Sequence, residues 1–353
     1  MAIFFYKDRP ILGLDISSAD IKVMSVNSQK WSVNGYGQLD LDPLLLKESL
    51  EVADKGSYLT ESIKKLMGDN LTGTVSSDRV AVAVPTSRTY TRTFTLPSGA
   101  ERSLDEAVLL EAEQYIPIPV STLYIDYQII ERSKKTIVVL MSAMSKSVID
   151  NVTKSIQDAG FLPILIEPSI NSVGRVLTAT EDGALPTVIV DIGPASTDIA
   201  ILDKGSIRVT GGASVGGNSF TLAIAKKMNI GLENAHQLKV LNGLNAGPRQ
   251  QKLKEALSPV LDVILAETQK VMRYYTERIN SDRKIEQLLI VGHGSNVPGI
   301  GDYFTDKLVI AARVASPWQQ LDFAKVQEPP KQFRPRYITV AGAASVKPGS
   351  VWK

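Results

Sequence analysis

The sequence predicts an α/β protein of two related halves, with a small α+β unit inserted in the first. Three stretches predict it. Thr187–Leu202, TVIVDIGPASTDIAIL, is an apolar run ending at Asp191, a Gly-Pro-Ala-Ser-Thr turn, Asp198 and a second apolar run, which reads as a hairpin. Ile11–Ser18, ILGLDISS, repeats that order of residue types, with Asp15, small hydroxyl residues and a second strand at Ile21–Val26 that Lys22 opens. Leu288–Gly299, LLIVGHGSNVPG, runs from a strand into Gly292 and Gly294, whose missing side chains let backbone approach a ligand. A helix starts there near Pro298.

Taken in order, Ile11–Ile16, Ile21–Asn27 and Trp31–Leu39 read as a β-meander. Ser57–Met67 is a helix with Leu59, Ile63 and Leu66 on one face, and Arg79–Val84 a buried strand stopped by Pro85. The pattern then changes. Tyr90–Leu96 alternates as a half-exposed strand, Ser103 caps a helix at Leu104–Tyr115, and Leu123–Glu131 and Lys135–Ser142 are two more strands. Lys146–Gly160 is an amphipathic helix with Ile149, Val152 and Ile156 in line, closing a strand-helix-strand-strand-helix insertion. The main fold resumes at Leu162–Ile166 and a helix, Ser169–Leu177, with Thr178–Pro186 as the boundary loop. After the central hairpin come a strand at Ser206–Ala213 and helices at Ser219–Met228 and Leu232–Leu241. A long helix starts after Ser258-Pro259, with serine as cap and proline in the first turn. Its apolar stripe is Leu261, Ile264, Leu265, Val271, Met272 and Tyr275; Glu328–Gln332 is a loop and Tyr337–Val346 a last helix.

Bulk properties exclude several classes. The 353 residues suffice for two or more domains, and 39 Lys+Arg against 37 Asp+Glu give no electrostatic case for nucleic acid. There is no cysteine, hence no disulfide and no thiolate metal site, and two histidines cannot make a multi-histidine site. No apolar run approaches the roughly 18 residues of a spanning helix. The opening MAIFFYKDRP lacks a cleavage signature, so the chain reads as soluble and cytoplasmic, with Ile3–Tyr6 an edge-strand lead-in or small contact patch. Neither GxxxxGK[ST] nor a GxGxxG after a strand occurs.

The chemistry sits in the turns. Backbone N–H groups of the 193–197 turn, with the Ser196 and Thr197 hydroxyls, form a concave donor array suited to phosphate oxygens. Asp191 at its mouth suits a hydrated Mg2+, which takes carboxylate and phosphate oxygens and keeps its waters. Two such hairpins followed by the glycine-rich strand end resemble the phosphate and adenosine motifs of the superfamily of actin, sugar kinases and heat-shock chaperones. The fold this implies is the actin-like (ribonuclease H-like duplicated) ATPase fold, with nucleotide held between the halves. The inserted α+β unit resembles that of FtsA-type proteins, and two stretches are similar to the PilM family, the FtsA-related actin-like cytoplasmic proteins of type IV pilus assembly. These are Glu111–Tyr127, EAEQYIPIPVSTLYIDY, whose Pro117 and Pro119 hold the loop extended, and Arg273-Tyr274-Tyr275. The ending SVKPGSVWK has no apolar face and argues against FtsA, whose tail ends in a membrane-binding helix.

The resemblance implies residue roles. Asp15, Ser17, Ser18 and Lys22 match the first phosphate motif, and Asp191, Gly193, Ser196, Thr197 and Asp198 the second. Asp15 and Asp191 would serve Mg2+ through water. Gly216, Gly217 and Asn218 match the glycine turn opening the nucleotide-side helix, Lys239 a nucleoside contact, and Gly292, Gly294 and Ser295 the adenosine side. Glu167 is the candidate catalytic residue, orienting the attacking water; its other role is ordering the turn with Pro168. Two departures, His236 for an expected glutamate and His293 inside the glycine turn, favour weak or absent ATP turnover. The expected organisation is 1–88 first half, 89–161 insertion, 162–182 first half resumed, 183–334 second half with a helical part at 217–285, and 335–353 a helix returning to the first half.

By the same resemblance the chain is an ATP-binding scaffold of a type IV pilus or related inner-membrane assembly complex, recruited there by a partner. That partner is the cytoplasmic N-terminal tail of a PilN-like single-span membrane protein, lying in a groove between the first half and the inserted unit. Other pilus assembly proteins, the assembly ATPase among them, and self-association are further candidate partners. The alternatives are an FtsA-like or filament-forming cytoskeletal ATPase and a small-molecule kinase of the same superfamily.

Overall fold

The structure is a computed structural model that describes residues 10–351 apart from 28–29, 53–54, 182–184, 246, 281 and 324. Ile3–Tyr6 and the expected 182/183 boundary lie outside those residues. The chain forms two compact units. One holds residues up to Val176, Gln319–Glu328 and the chain from Thr339; the other holds Leu177–Trp318 and Pro329–Ile338.

In the first unit, β1 (Leu12–Ile16), β2 (Asp20–Asn27) and β3 (Ser32–Asp40) form the meander, and β4 (Leu71–Gly73) extends it. On the other side of β1, β5 (Arg79–Val84) and β9 (Leu162–Pro168) add in parallel, giving the order β4-β3-β2-β1-β5-β9. Strand alternation sends Leu12, Leu14 and Ile16 into one core, with Leu46 and Leu50 of α1 (Pro43–Glu51) and Leu59, Ile63 and Leu66 of α2 (Ser57–Asp69). Helix α1 has a clear start signal, Asp42 accepting from Leu44 and Leu45 N–H with Pro43 at its first turn. On the opposite face Gly13 is a requirement: a Cβ there would meet the Val340 carbonyl at 2.4 Å. That carbonyl belongs to α10 (Ile338–Ala344).

The insertion is a three-stranded sheet, β6 (Thr89–Pro97), β8 (Thr136–Ser145) and β7 (Leu123–Arg132), with β8 central. One helix, α3 (Leu104–Tyr115), packs Leu104, Val108 and Ala112 onto it. Ser103 makes no side-chain cap bond; a 3-10 turn over Ser98–Ser103 leads into the helix instead. Helix α4 (Lys146–Asp158) does not share the insertion's core. Its Val148, Val152 and Ile156 pack among the first-half residues, because β8 ends where the main sheet begins. The segment Gln319–Glu328, expected in the second half, straps onto β3. Val33 N–H donates to the Asp322 carbonyl (2.8 Å), Asp322 N–H to the Trp31 carbonyl (2.9 Å) and the Tyr36 hydroxyl to the Gln327 carbonyl (2.8 Å).

The chain enters the second unit through α5 (Ser169–Thr180), which runs past the expected stop at Leu177. There β10 (Thr187–Ile192), β11 (Thr197–Asp203) and β12 (Ser206–Ala213) repeat the meander, and β13 (Gln287–Val291) and β14 (Ala311–Val314) add in parallel beside β10. The order β12-β11-β10-β13-β14 is that of β3-β2-β1-β5-β9, so the duplication is a fact of strand order. The core joins Val188, Val190, Ile199 and Ile201 to α6 (Gly217–Met228), α8 (Gln250–Tyr274) and α9 (Ile300–Leu308); α7 (Leu232–Leu241) adds Ala235.

The long helix α8 starts at Gln250, not after Ser258-Pro259, and carries Pro259 inside it. A proline there cannot bond the carbonyl four residues back and costs about 3 kcal/mol. Buried Leu253 and Leu257, each worth roughly 1.5–3 kcal/mol, offset that cost.

Candidate functional site

In the first hairpin, Asp15 lies one residue before the end of β1 and stands opposite Lys22 in the antiparallel register. Lys22 Nζ lies 3.2 Å from Asp15 Oδ2 and 2.5 Å from Asp20 Oδ1. Ser17 donates its hydroxyl to the same Asp20 oxygen at 2.5 Å, while Ser18 faces solvent. Burial pushes the Asp15 carboxyl up against the pull of Lys22. Burial alone would depress the Lys22 ammonium, but Asp15 and Asp20 outweigh it and hold its pKa above the lysine range. The strand's period of two puts Asp20 and Lys22 on one face, a local signal that the motif match alone does not use.

Glu167 lies at the end of β9, buried, with both carboxylate oxygens engaged. Arg175 Nη1 and Nη2 donate to Oε1 and Oε2 at 2.7 and 2.6 Å, and the Ser172 hydroxyl donates to Oε1 at 2.5 Å. A general base needs a lone pair aimed at its water. Glu167 instead anchors α5, and Arg175 also reaches the Gly342 carbonyl at 2.9 Å.

The second hairpin is the floor of a three-loop cluster. Gly193 N–H donates to the Ser196 carbonyl (2.9 Å), closing the turn, and Thr197 donates its hydroxyl to the Val215 carbonyl at 2.7 Å. The turn's own carbonyls take the first N–H groups of α6, Gly217 to Gly193 and Asn218 to Pro194, both at 2.9 Å. Gly216 is needed for this approach, since a Cβ would stand 2.5 Å from the Gly193 carbonyl. Gly292 takes φ +81°, where a Cβ would meet Asp191 Oδ1 at 2.2 Å. Asp191 and Asp198 face each other across the strand pair. A Cβ on Gly217 would come 3.5 Å from Gly294 Cα and 3.8 Å from Lys239 Nζ, so these loops stand within one side chain of each other. Ser295, 2% exposed, has a hydroxyl with no hydrogen-bond partner among the described residues.

Lys239 is 5% exposed. It donates to the Gly217 carbonyl (3.0 Å) and the Thr221 hydroxyl (2.8 Å), both neutral, and among the described residues no carboxylate pairs with it. Burial pulls its pKa down to about 8. Arg336, to which no local pattern in the chain points, donates from Nη2 to His293 Nε2 at 2.9 Å and covers the Phe333 ring. A guanidinium only donates, so that histidine nitrogen is the acceptor. His236 is exposed on α7, its pKa lowered by burial and by the charges of Lys239 and Arg336.

Lys239 and Arg336 thus put positive charge beside loops whose glycines leave no room for a Cβ. That arrangement fits a nucleotide's phosphates and sugar. Among the described residues no three Asp, Glu or His side chains gather to hold a metal, so Mg2+ would rely on Asp191, phosphate oxygens and water.

In sequence, the chain is 28% identical over 102 residues to the cell division protein FtsA of Neisseria meningitidis serogroup B, covering 28% of this chain and 24% of that protein. It is 23% identical over 192 residues to FtsA of Borreliella burgdorferi, covering 49% and 46%. The matched stretches therefore span less than half the length of these relatives. In structure, it is similar to the PilM-PilN type IV pilus biogenesis complex, with TM-score 0.79, 22% identity and coverage of 95% of this chain and 98% of that one. It is also similar to the ethanolamine utilization protein EutJ of Carboxydothermus hydrogenoformans, with TM-score 0.54, 16% identity and coverage of 96% and 89%. A non-polymerising MamK bound to AMPPNP gives TM-score 0.53, 14% identity and coverage of 97% and 99%. The fold is actin-like. The family model described as type IV pilus assembly protein PilM matches residues 13–345, and the chain belongs to that family.

Proposed function

We propose that the chain is an ATP-binding scaffold of a type IV pilus or related assembly complex, with weak or absent ATP turnover. The observation that carries nucleotide binding is Lys239, a buried cation with only neutral hydrogen-bond partners among the described residues, set against Gly217, which itself abuts Gly294. Bound ATP would supply the negative charge that Lys239 lacks among its described partners. Asp191 would hold Mg2+ through water, Gly216, Gly217, Gly292 and Gly294 would let backbone approach the ligand, and Arg336 and Lys239 would face its anionic and sugar oxygens. With Glu167 held by Arg175 and Ser172, its role in the turn favours weak or absent turnover over the orienting of an attacking water.

The partner reading rests on the first unit and on the structural relative described as a PilM-PilN complex. No helix among the described residues is long and apolar enough to cross a membrane; we propose that a partner recruits the chain to the inner membrane's cytoplasmic face. We propose the cytoplasmic N-terminal tail of a PilN-like single-span membrane protein. Leu109, Leu110, Tyr115, Ile118 and Tyr124 are exposed along α3, the proline-held loop and β7. Strand β7 is an edge of its sheet, whose unpaired backbone suits an added strand. Tyr115 is held under Arg92 (4.6 Å) and Tyr124 bonds Asp150 (3.0 Å), so this wall is preset.

The test is thermal unfolding with and without saturating Mg-ATP, then titration of the tail peptide. A ligand that binds only the folded chain must raise its unfolding temperature. Stabilisation by ATP and binding of the tail support the proposal; no shift by ATP overturns the nucleotide reading, and no binding of the tail overturns the recruitment reading.

A further inference from the structure

We propose that Asp20 occupies the anion-binding place of the first hairpin, so that a nucleotide phosphate must displace it from Lys22, and that this one residue sets the affinity for ATP. The inference rests on the nucleotide reading above and concerns how that site is regulated.

The hairpin offers an anion two good donors, the Lys22 ammonium and the Ser17 hydroxyl. Both are aimed at a single oxygen. Lys22 Nζ and Ser17 Oγ each stand 2.5 Å from Asp20 Oδ1. The Ser17 oxygen in turn accepts the N–H of Asp20 (3.2 Å) and of Ala19 (3.3 Å), which fixes the turn around the same carboxylate. A phosphate oxygen would need this position, between an ammonium and a hydroxyl. Asp20 is two residues from Lys22 on the same strand face, so its local concentration far exceeds that of any free anion.

The charge count points the same way. Asp15, Asp20 and Lys22 are 5%, 7% and 4% exposed, and two carboxylates share one ammonium. With all three ionised the hairpin carries a net negative charge in a poorly screened place, which opposes a phosphate. Without the Asp20 charge, Lys22 still has Asp15 at 3.2 Å, and its remaining hydrogens and the Ser17 hydroxyl become available. A residue that merely braced the turn would behave otherwise: its loss would weaken the fold and never tighten a ligand.

The test is calorimetric titration of Mg-ATP into the full chain, the Asp20→Asn and Asp20→Ser variants, and the Asp20→Asn/Lys22→Met double variant. Both single variants should bind about tenfold or more tightly than the wild type, the cost of opposing like charges being removed. The double variant should lose that gain. Two variants guard against one failing to fold, and a gain of affinity cannot come from unfolding. Wild-type binding with equal or weaker binding by the single variants overturns the role of Asp20 and leaves the nucleotide reading standing. A gain that survives in the double variant overturns it as well, since Lys22 would not be the group released. No binding by any of the four chains brings down both readings.

Discussion

Arg175 grips both carboxylate oxygens of Glu167, at 2.7 and 2.6 Å, from two turns along α5. The pair is an anchor at the strand-to-helix junction. Glu167→Gln should lower the unfolding free energy by about 2 kcal/mol, the worth of charge-assisted hydrogen bonds, with any slow phosphate release unchanged. Urea denaturation and a phosphate-release assay separate the two effects. A large drop in turnover with unchanged stability would restore Glu167 as a catalytic base.

Asp191 leans into the space left by Gly292. Asp191→Ala should lose most of the thermal stabilisation that Mg-ATP gives the wild type. Gly292→Ala should lose it too, because a Cβ at φ +81° would strike the same carboxylate. Differential scanning fluorimetry with and without Mg-ATP reads both; full stabilisation of either variant counts against the site.

Lys239 gives a pH signature. Its folded pKa, about 8, lies below the unfolded value of about 10.4. Between these the unfolded chain binds more protons, so this residue's contribution makes stability rise with pH across that window. The wild type should therefore gain on the order of 2–3 kcal/mol from pH 8 to 10 relative to Lys239→Met, a tenfold change in proton activity being worth ~1.4 kcal/mol. Urea denaturation across that range measures it. An anionic ligand favours the charged amine, so ATP affinity should fall as pH rises past 8 and binding near pH 8–9 should take up a proton. Calorimetry in two buffers of different ionisation enthalpy detects that uptake; none would place the phosphates away from Lys239.

ATP turnover should stay below about one per second, under the usual enzyme range. The reason is that Glu167 is held by three hydrogen bonds from Arg175 and Ser172. Several turnovers per second in a phosphate-release assay would return the chain to the kinases or ATPases.

Leu110, 58% exposed on α3, should matter for partner binding and not for folding. Leu110→Asp should weaken the PilN-like tail peptide by about tenfold, as loss of an apolar anchor does, with the unfolding temperature unchanged. Unaltered tail affinity would move the contact off this helix.

How much of the structure is legible in the chain depends on the range of the interaction. Both hairpins are visible because their strands are adjacent in the chain and the first of each pair carries a carboxylate one residue before its end. Arg79–Val84 and Leu232–Leu241 are legible to the residue, each bounded by a proline, glycine or polar step. Helix α1 escapes the pattern of apolar spacing although Asp42-Pro43 is a start signal, and α8 is cut short when its proline is taken as a beginning. The pairings Arg336–His293 and Arg175–Gly342 join residues far apart in the chain, which no local pattern encodes. The partners of Lys22 are within reach of such a pattern, since Asp20 is two residues away.

The first unit's sheet has a consequence for synthesis. Gly13 is shaped for the backbone of α10, and Tyr36 for the strap ending at Gln327, both from the far end of the chain. While the ribosome is still making the second unit, the early strands wait with that face uncovered. Completion of the first unit therefore waits until the segment from Thr339 onward has been made. A nascent chain stopped before Thr339 would present bare sheet to chaperones and proteases, so truncation inside the second unit exposes the first.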